Sequence, residues 1–542
     1  MVAGEFDLLS SDLFKHHYEN GPRDAHLERS YLRAKAFARF WRLTPDDVLQ
    51  FTPKFRHAHT DGIILRDIAA QSAFSVHYNL VGGTIASLVP KRPDLQPATY
   101  MMTEAGHGCD ARNLETVAIL QSDGSFILET PTPAARKLML PSAPFAGIPR
   151  IALVLARLMV EGEDRGTRQF IVPLNDGRQM YRGIKAWGLP APGAGRLLDF
   201  VLTSFDHVHL PSTAILGDLA RPSNMRDQYL TAVDRLSTGT LTVSLWTIPF
   251  LKGAAFTVGK YSQRRTVQEG LHGKRVPIIS YRTQQLPIAH TLAEVAVLDP
   301  FADWVIEQRG SPSISPGLKH ALSIILKVVF VQHGSESLKQ LNERSGSRGL
   351  FPTNGLMEME TYVRASTSAE GEILVHSIRS ATELLFGRFR IPDAKTSDSL
   401  LGRHEAGAKG HRTPEYNSLV LPRCRPMLLA IGQRMAYEAA VDAGVDPNFL
   451  ALYEAGAVRN DSSWYVEQLR LSRASQYDME CQACDSVMSQ LDRHLDELGI
   501  EPYCTAPMLS PARWETFINT CPIYTEDAVP SLDYGGSRES RL

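Results

Sequence analysis

Apolar and polar positions change their period twice along this chain. From Leu8 to about Leu88 the pattern is helical. Arg29 to Trp41 is rich in good helix formers and poor in breakers. Ile63 to Leu88 is largely apolar, predicting a buried helix around Ser72–Tyr78. Val89 to Pro97 (VPKRPDLQP) reads as a linker. From Ala98 to about Gly217 the runs shorten. Val117–Leu120 and Phe126–Thr130 are predicted strands joined by Ser122-Asp-Gly-Ser125, a hairpin signal. Ile151–Val160 is a buried strand or a helix turn by length alone. Arg168–Leu174 and Leu198–Leu210 add strands between Gly- and Pro-rich joints, for roughly five to seven strands in all by the usual spacing.

The helical pattern returns at about Asn224. Asp234 to Lys260 is apolar nearly all round, so neighbours or another subunit must bury it. Ile288–Gln308 follows, with Pro300 as an expected break or kink. Gly317–Gln332 comes next, with His333-Gly334 as its expected C-cap, and then Glu372–Phe386. Gly387–Thr413 reads as a linker with a basic cluster, Arg403 to Arg412, and Asn417 to about Phe517 is again helical. The expected organisation is a helical domain (1–97), a β-domain (98–217), a second helical domain (218–390), a linker (391–413), a C-terminal helical domain (414–530) and a flexible tail (531–542). Elements of one type in successive runs argue an α+β fold, with a small β-barrel-like middle domain between helical parts.

Composition narrows the class. At 542 residues the chain is too long for one core. Apolar residues at 43% and charged residues at 21% are the balance of a globular protein. A net charge of −2 gives no nucleic-acid footprint. Leu241–Phe256, interrupted by Pro249 and Lys252, reads as a core helix and not as a membrane span. Six cysteines make no disulfide scaffold, and Cys481-Gln-Ala-Cys484 lacks a second pair for zinc, so no metal site is expected. His57-Ala-His59 likewise lacks further ligands, His404 and His411 read as solvated, and Trp246, Phe250, Phe256 and Phe330 read as core. Met1–Asn20 has no apolar segment of the secretory type. The tripeptide Ser540-Arg541-Leu542 fits the Ser-Lys-Leu type of peroxisomal address, with a cytoplasmic location as the alternative.

Two stretches offer chemistry. In Thr103-Glu-Ala-Gly106-His-Gly108, two glycines let backbone N–H groups approach a ligand closely, and Thr103 adds a hydroxyl. In Ser366-Thr-Ser-Ala-Glu370-Gly371-Glu372, a carboxylate stands at the start of a predicted helix. Glu370 is either a capping group on the positive end of the helix dipole or a general base.

Several segments, in order, resemble the acyl-CoA oxidases of the flavin-dependent acyl-CoA dehydrogenase superfamily. TEAGHG followed by RNLET (Arg112–Thr116) is similar to their TE-x-GHG…LET segment. Phe126–Pro131, Phe170–Pro173, Phe205–Pro211, Tyr261–Arg265, Tyr281–Gln285, Gly317–Lys319, Arg344–Gly349, Gly355-Leu356 and Ala369–Gly371 each resemble a family motif in the family's order. The resemblance implies FAD as cofactor, an acyl-CoA or other acyl thioester as substrate, O2 as oxidant, fatty-acid metabolism and a homodimer. It also implies site residues. Glu370 falls where the family has its catalytic base, and Thr103, Gly106 and Gly108 fall in the loop at the flavin ring. Arg264 and Arg265 fall where a neighbouring subunit's Arg meets the pyrophosphate. Gln285 falls near the adenosine end, and Gly346 and Gly349 in the dinucleotide loop. Departures are equally visible. Glu372-Ile373 follows Glu370-Gly371 where the family has Asp or Thr and then Asn. Leu138-Met139 replaces an aromatic pair, and Thr266-Val267 and Ser347-Arg348 replace further cofactor-loop residues. These departures keep two alternatives open: a biosynthetic tailoring oxidase or desaturase on another activated acyl or polyketide-like substrate, and a non-catalytic relative.

Overall fold

The computed structural model describes residues 5–15, 22–88, 98–193, 198–392, 414 and 416–524. The expected linker at 89–97, nearly all of the one at 391–413 with His404 and His411, and the Ser540-Arg541-Leu542 tripeptide lie outside the described residues.

Between two helical regions lie ten strands: β1 (Ala98–Met101), β2 (Val117–Leu120), β3 (Phe126–Glu129), β4 (Lys137–Met139), β5 (Arg150–Val160), β6 (Glu163–Asn175), β7 (Ile184–Gly188), β8 (Val201–Phe205), β9 (Val208–Leu210) and β10 (Ile215–Leu216). The expected strand count was low: β1, β4, β7 and β10 lie outside the expected runs, and Leu198–Leu210 holds two strands, β8 and β9. The undecided Ile151–Val160 run is a strand. It is the spine of the larger sheet, ordered β10-β6-β5-β2-β3-β9, with β1 also parallel to β5. The β5–β6 hairpin closes through Glu161 at φ 51° and Gly162 at φ 81°. Such a pair of left-handed residues matches the twist of the flanking strands. The hairpin expected at Ser122–Ser125 joins β2 and β3 in antiparallel register. A second sheet runs β4-β8-β7.

The helices differ from expectation at their breakers. Asp234–Lys260 divides into Leu236–Leu245 and Thr247–Arg264, both almost wholly buried. Met225–Arg264 is apolar enough to cross a bilayer by composition, yet 94% of its most apolar window is buried within the fold. Pro300 does not end its helix, which runs from Arg282 to Gly310 through Pro287 and Pro300. His333-Gly334 is no cap, since that helix continues from Pro316 to Arg344. Gly334 answers a packing need instead: a Cβ there would meet Thr247 Cγ2 at 2.7 Å. One apolar core runs through all three helical regions, from Leu9 to Met508, and takes in Trp246, Phe250, Phe256 and Phe330. Cys481 is exposed and Cys484 buried, the helix-surface and core positions expected of them.

The turn Thr367–Glu372 joins the helices Leu356–Ser366 and Ile373–Leu385. The helices Pro316–Arg344 and Leu236–Leu245 and the strand β1 all bring side chains to it.

Candidate active site

Glu370 is not a capping residue. The N-cap of the Ile373–Leu385 helix is Glu372, whose carboxylate accepts from the Val375 N–H at 2.8 Å. Glu370 instead occupies a left-handed conformation (φ 54°), followed by Gly371 at φ 99°. A non-glycine residue there costs about 1–2 kcal/mol and persists only where its surroundings over-determine it. Three consecutive carbonyls are held. Lys327 Nζ donates to Ala369 O at 2.6 Å and to Gly371 O at 2.7 Å, and Thr240 Oγ1 donates to Glu370 O at 2.7 Å. Ile373 N–H closes the turn onto Thr367 O at 2.9 Å.

The Glu370 side chain lies against Gly239 of the Leu236–Leu245 helix. A Cβ on Gly239 would stand 2.4 Å from Glu370 Oε2, so glycine is required for the carboxylate to reach its place. Among the described residues the carboxylate accepts no hydrogen bond. Burial pushes its pKa up to about 7, and the Lys327 ammonium pulls the other way without cancelling it. Burial holds the phenols of Tyr100 on β1 and Tyr362 on the preceding helix, both buried, well above their ordinary range, and the Glu370 charge adds to it. The Glu370 N–H also has no hydrogen-bond partner among the described residues. The site therefore offers a near-neutral proton acceptor beside a free backbone donor.

Thr103–Gly108 begins two residues beyond β1, the strand that carries Tyr100. Glu104 anchors it, a buried carboxylate that accepts from Glu115 N at 2.7 Å, Thr116 N at 3.0 Å, Thr116 Oγ1 at 2.6 Å and Lys137 Nζ at 2.9 Å. Thr103 O accepts from Leu138 N–H, while its own N–H and hydroxyl have no partner among the described residues. Gly106 stands over Ala134, whose Cβ would be 2.6 Å from an added Cβ, and Gly108 faces open space. His107 is fixed to Glu115 at 2.9 Å. Burial raises the Tyr229 phenol, with smaller effects from Arg379 on the helix after Glu370 and from Asp110 and Arg112 beyond this loop.

The remaining candidates form a separate cluster. Arg264 and Arg265 end the Thr247–Arg264 helix and are exposed, with Arg264 also donating to Met508 O. Gln285 is half-buried in the first turn of the next long helix. Its neighbour Gln284 donates to Ser262 Oγ and Arg344 O, which binds this corner to the Gly346–Leu350 turn. Gly346 (φ 61°) opens that turn, and Gly349 abuts Asn342, whose Oδ1 would lie 2.0 Å from an added Cβ. Arg348, a departure from the resemblance, lies over Trp514 at 4.1 Å. Among the described residues no hydrogen bond or ion pair joins this cluster to the Glu370 turn.

Sequence reasoning missed Gly239 and Lys327. Each left a signal: a glycine inside a continuous buried helix, and a lysine in the apolar run Leu322–Val331.

No protein-family profile matches the chain. Among curated proteins it is 25% identical over 434 residues to an acyl-coenzyme A oxidase of Caenorhabditis elegans, covering 75% of this chain and 62% of that one. It is 23% identical over 351 residues to an acyl-coenzyme A oxidase-like protein of Mus musculus, covering 59% and 54% of the two chains. It is 27% identical over 309 residues to peroxisomal acyl-coenzyme A oxidase 1 of Arabidopsis thaliana, covering 53% and 46%. The chain thus spans about half the length of the curated relatives it matches. Among solved structures, acyl-CoA oxidase 3 of Yarrowia lipolytica superposes with a TM-score of 0.78 at 18% identity, covering 97% of this chain and 92% of that one. Acyl-CoA oxidase-2 of Caenorhabditis elegans, solved with FAD, ascaroside-CoA and ATP, gives 0.70 at 17% identity, covering 95% and 97%. The fold is that of the acyl-CoA oxidases, and at low identity the sequence is similar to theirs.

Proposed function

We propose that this chain is an FAD-dependent oxidoreductase of acyl-CoA oxidase type that introduces an α,β double bond into an acyl thioester. One observation carries the reading: Glu370 presents a carboxyl group titrating near neutrality, free of hydrogen bonds among the described residues, on a strained turn whose carbonyls at Ala369, Glu370 and Gly371 are held. A general base works best with a pKa near the operating pH, and a positioned one contributes about 10²–10⁴ in rate. Glu370 takes the α-proton of the thioester, and its free N–H donates to the thioester carbonyl as negative charge builds there.

The residues present fit FAD. The free N–H and hydroxyl of Thr103 and the open face of Gly108 suit a flavin ring, and the exposed guanidinium groups of Arg264 and Arg265 suit a pyrophosphate. Bound FAD would supply the hydride acceptor for the β-carbon, with O2 as the terminal oxidant giving H2O2. Because the Arg264 cluster stands apart from Glu370, we assign it to the flavin site of a second copy in a homodimer. Exposed Leu350 and Phe351 beside it give that contact an apolar surface. The peroxisomal names of Arabidopsis relatives support action in that compartment.

The test is anaerobic mixing of purified protein with a panel of acyl-CoA thioesters. The expected result is loss of the oxidised flavin spectrum, then peroxide when air is admitted. A colourless protein that takes up no FAD refutes the reading.

A further inference from the structure

We infer that Lys327 is a positioning residue for the Glu370 base: it fixes the turn through the two flanking carbonyls and keeps a cation near the carboxylate without pairing to it. The inference rests on the base assignment above, and its geometry is specific. Lys327 is 1% exposed, in the middle of the Pro316–Arg344 helix and surrounded by apolar residues. Bringing an ammonium there is costly unless something needs it. Of its N–H donors, one goes to Ala369 O at 2.6 Å and another to Gly371 O at 2.7 Å. No ion pair within 4.0 Å joins it to Glu370.

That arrangement separates two effects that usually come together. A lysine hydrogen-bonded to the carboxylate would hold the base ionised but block its lone pairs. A lysine absent altogether would leave the buried carboxyl protonated at neutral pH. Directing the ammonium's hydrogen bonds to the neighbouring carbonyls keeps the lone pairs free while the charge still favours the ionised base. It also holds Glu370 in its left-handed conformation, with its N–H unengaged.

The other groups facing the turn do not duplicate this. Gly239 and Thr240 on the Leu236–Leu245 helix are uncharged. Tyr100 and Tyr362 are phenols whose ionisation burial suppresses. Burial holds His376, on the following helix, neutral by lowering its pKa to about 4. His320, two turns back on the lysine's own helix, is lowered likewise to about 3. Glu372 is engaged at its helix N-terminus, and Arg379 is paired with Glu383. Lys327 is therefore the cation placed to set the charge of Glu370. Its own pKa is lowered to about 8 by burial, against the pull of Glu370 and Glu372.

The test compares Lys327→Gln, Lys327→Met and Lys327→Arg. Gln keeps a donor for the carbonyls without charge, Met removes both, and Arg keeps charge and donors. In the unliganded protein, the infrared band of the buried carboxyl group, identified by its loss in Glu370→Gln, is titrated with pH. Loss of the cation is expected to move its midpoint upward by about one pH unit or more, the size of effect that a near charge exerts. In flavin-reduction kinetics the acid limb moves by the same amount in Gln and Met, and Arg restores it toward wild type. A Gln variant that folds and titrates like wild type overturns the proposal. Wild-type protein that reduces no flavin with any thioester defeats the functional reading instead. The infrared titration still decides whether Lys327 sets the charge of Glu370.

Discussion

Two glutamates stand beside two buried lysines in this molecule, Glu104 buried with its lysine and Glu370 half-buried, and they end in opposite states. At the head of the Thr103–Gly108 loop, Lys137 Nζ bonds directly to Glu104 Oε1 at 2.9 Å, both side chains fully buried. Burial alone would raise the Glu104 carboxyl, but Lys137, the Thr116 hydroxyl and the Glu115 N–H together hold it below its ordinary value. At the Glu370 turn the lysine bonds to carbonyls, the carboxylate receives no donor among the described residues, and burial wins, lifting Glu370 to about 7. Composition is the same in both places. The difference is where the donors point: aimed at the carboxylate they make a permanent structural anion, and aimed past it they leave a group able to exchange a proton.

This contrast can be broken most sharply at the glutamates. Glu370→Gln is expected to keep bound flavin but to lose about 10²–10⁴ in the rate of flavin reduction, measured by stopped-flow absorbance with a reactive thioester. Glu104→Gln is expected to act on stability. Removing one partner of a buried, hydrogen-bonded ion pair costs about 3–5 kcal/mol, because the lysine is left uncompensated. Urea unfolding read by tryptophan fluorescence would show it. If Glu104→Gln unfolds like wild type while Glu370→Gln is strongly destabilised, the roles given to the two carboxylates are reversed.

Gly239→Ala comes next. The added methyl group would occupy the place of Glu370 Oε2, and the flexible glutamate side chain would yield. A base displaced by about 1 Å loses about 10²-fold in rate. Flavin content and unfolding midpoint are expected to change little, so the comparison of reduction rate with flavin content is the measurement. Thr103→Val is expected to do less. It removes one hydroxyl from the loop, and one neutral hydrogen bond is worth about 0.5–1.5 kcal/mol, so flavin affinity should fall by roughly threefold to tenfold in a titration of the apoprotein.

The same contrast explains what was legible in the sequence. Order and type of the elements were readable because period carries them: the shift from helical spacing to short alternating runs at Ala98, and back at Asn224, coincides with the observed β-region. Breakers misled. Gly334 looks like a helix end in one dimension and Pro300 like a break or a kink, yet tertiary packing overrides local propensity and both helices run on. Of the proposed site, Glu370 and the Thr103 loop were singled out through the family resemblance, because a Glu-Gly pair or a short Gly-rich turn is a weak signal by itself. Lys327 and Gly239 were not, because each acts on Glu370 from a distant helix. A lysine in an apolar helix announces that something buried needs it, but not whether it will meet a carboxylate, as Lys137 does, or the carbonyls beside one.

The most discriminating measurement is the pH dependence of stability, because the two glutamates should give slopes of opposite sign. Glu104 has a depressed carboxyl group in the folded state. Its contribution to stability is present above the unfolded value near 4.5 and is lost as pH falls through the folded one, so the gap between wild type and Glu104→Gln should narrow in acid. Glu370 has a raised one. Between about 4.5 and about 7 the folded protein holds a proton that the unfolded chain has released, so wild-type stability declines with rising pH in that window. Glu370→Gln has no such group. It should gain on wild type across the window, by about 3 kcal/mol at the plateau above neutrality, since each unit of pKa displacement corresponds to about 1.4 kcal/mol. Urea unfolding of the three proteins at a series of pH values measures both slopes together. Parallel curves for wild type and Glu370→Gln across that window would mean that Glu370 ionises as easily folded as unfolded. The carboxyl would then be no neutral-pH proton acceptor, and the base assignment would lose its physical footing.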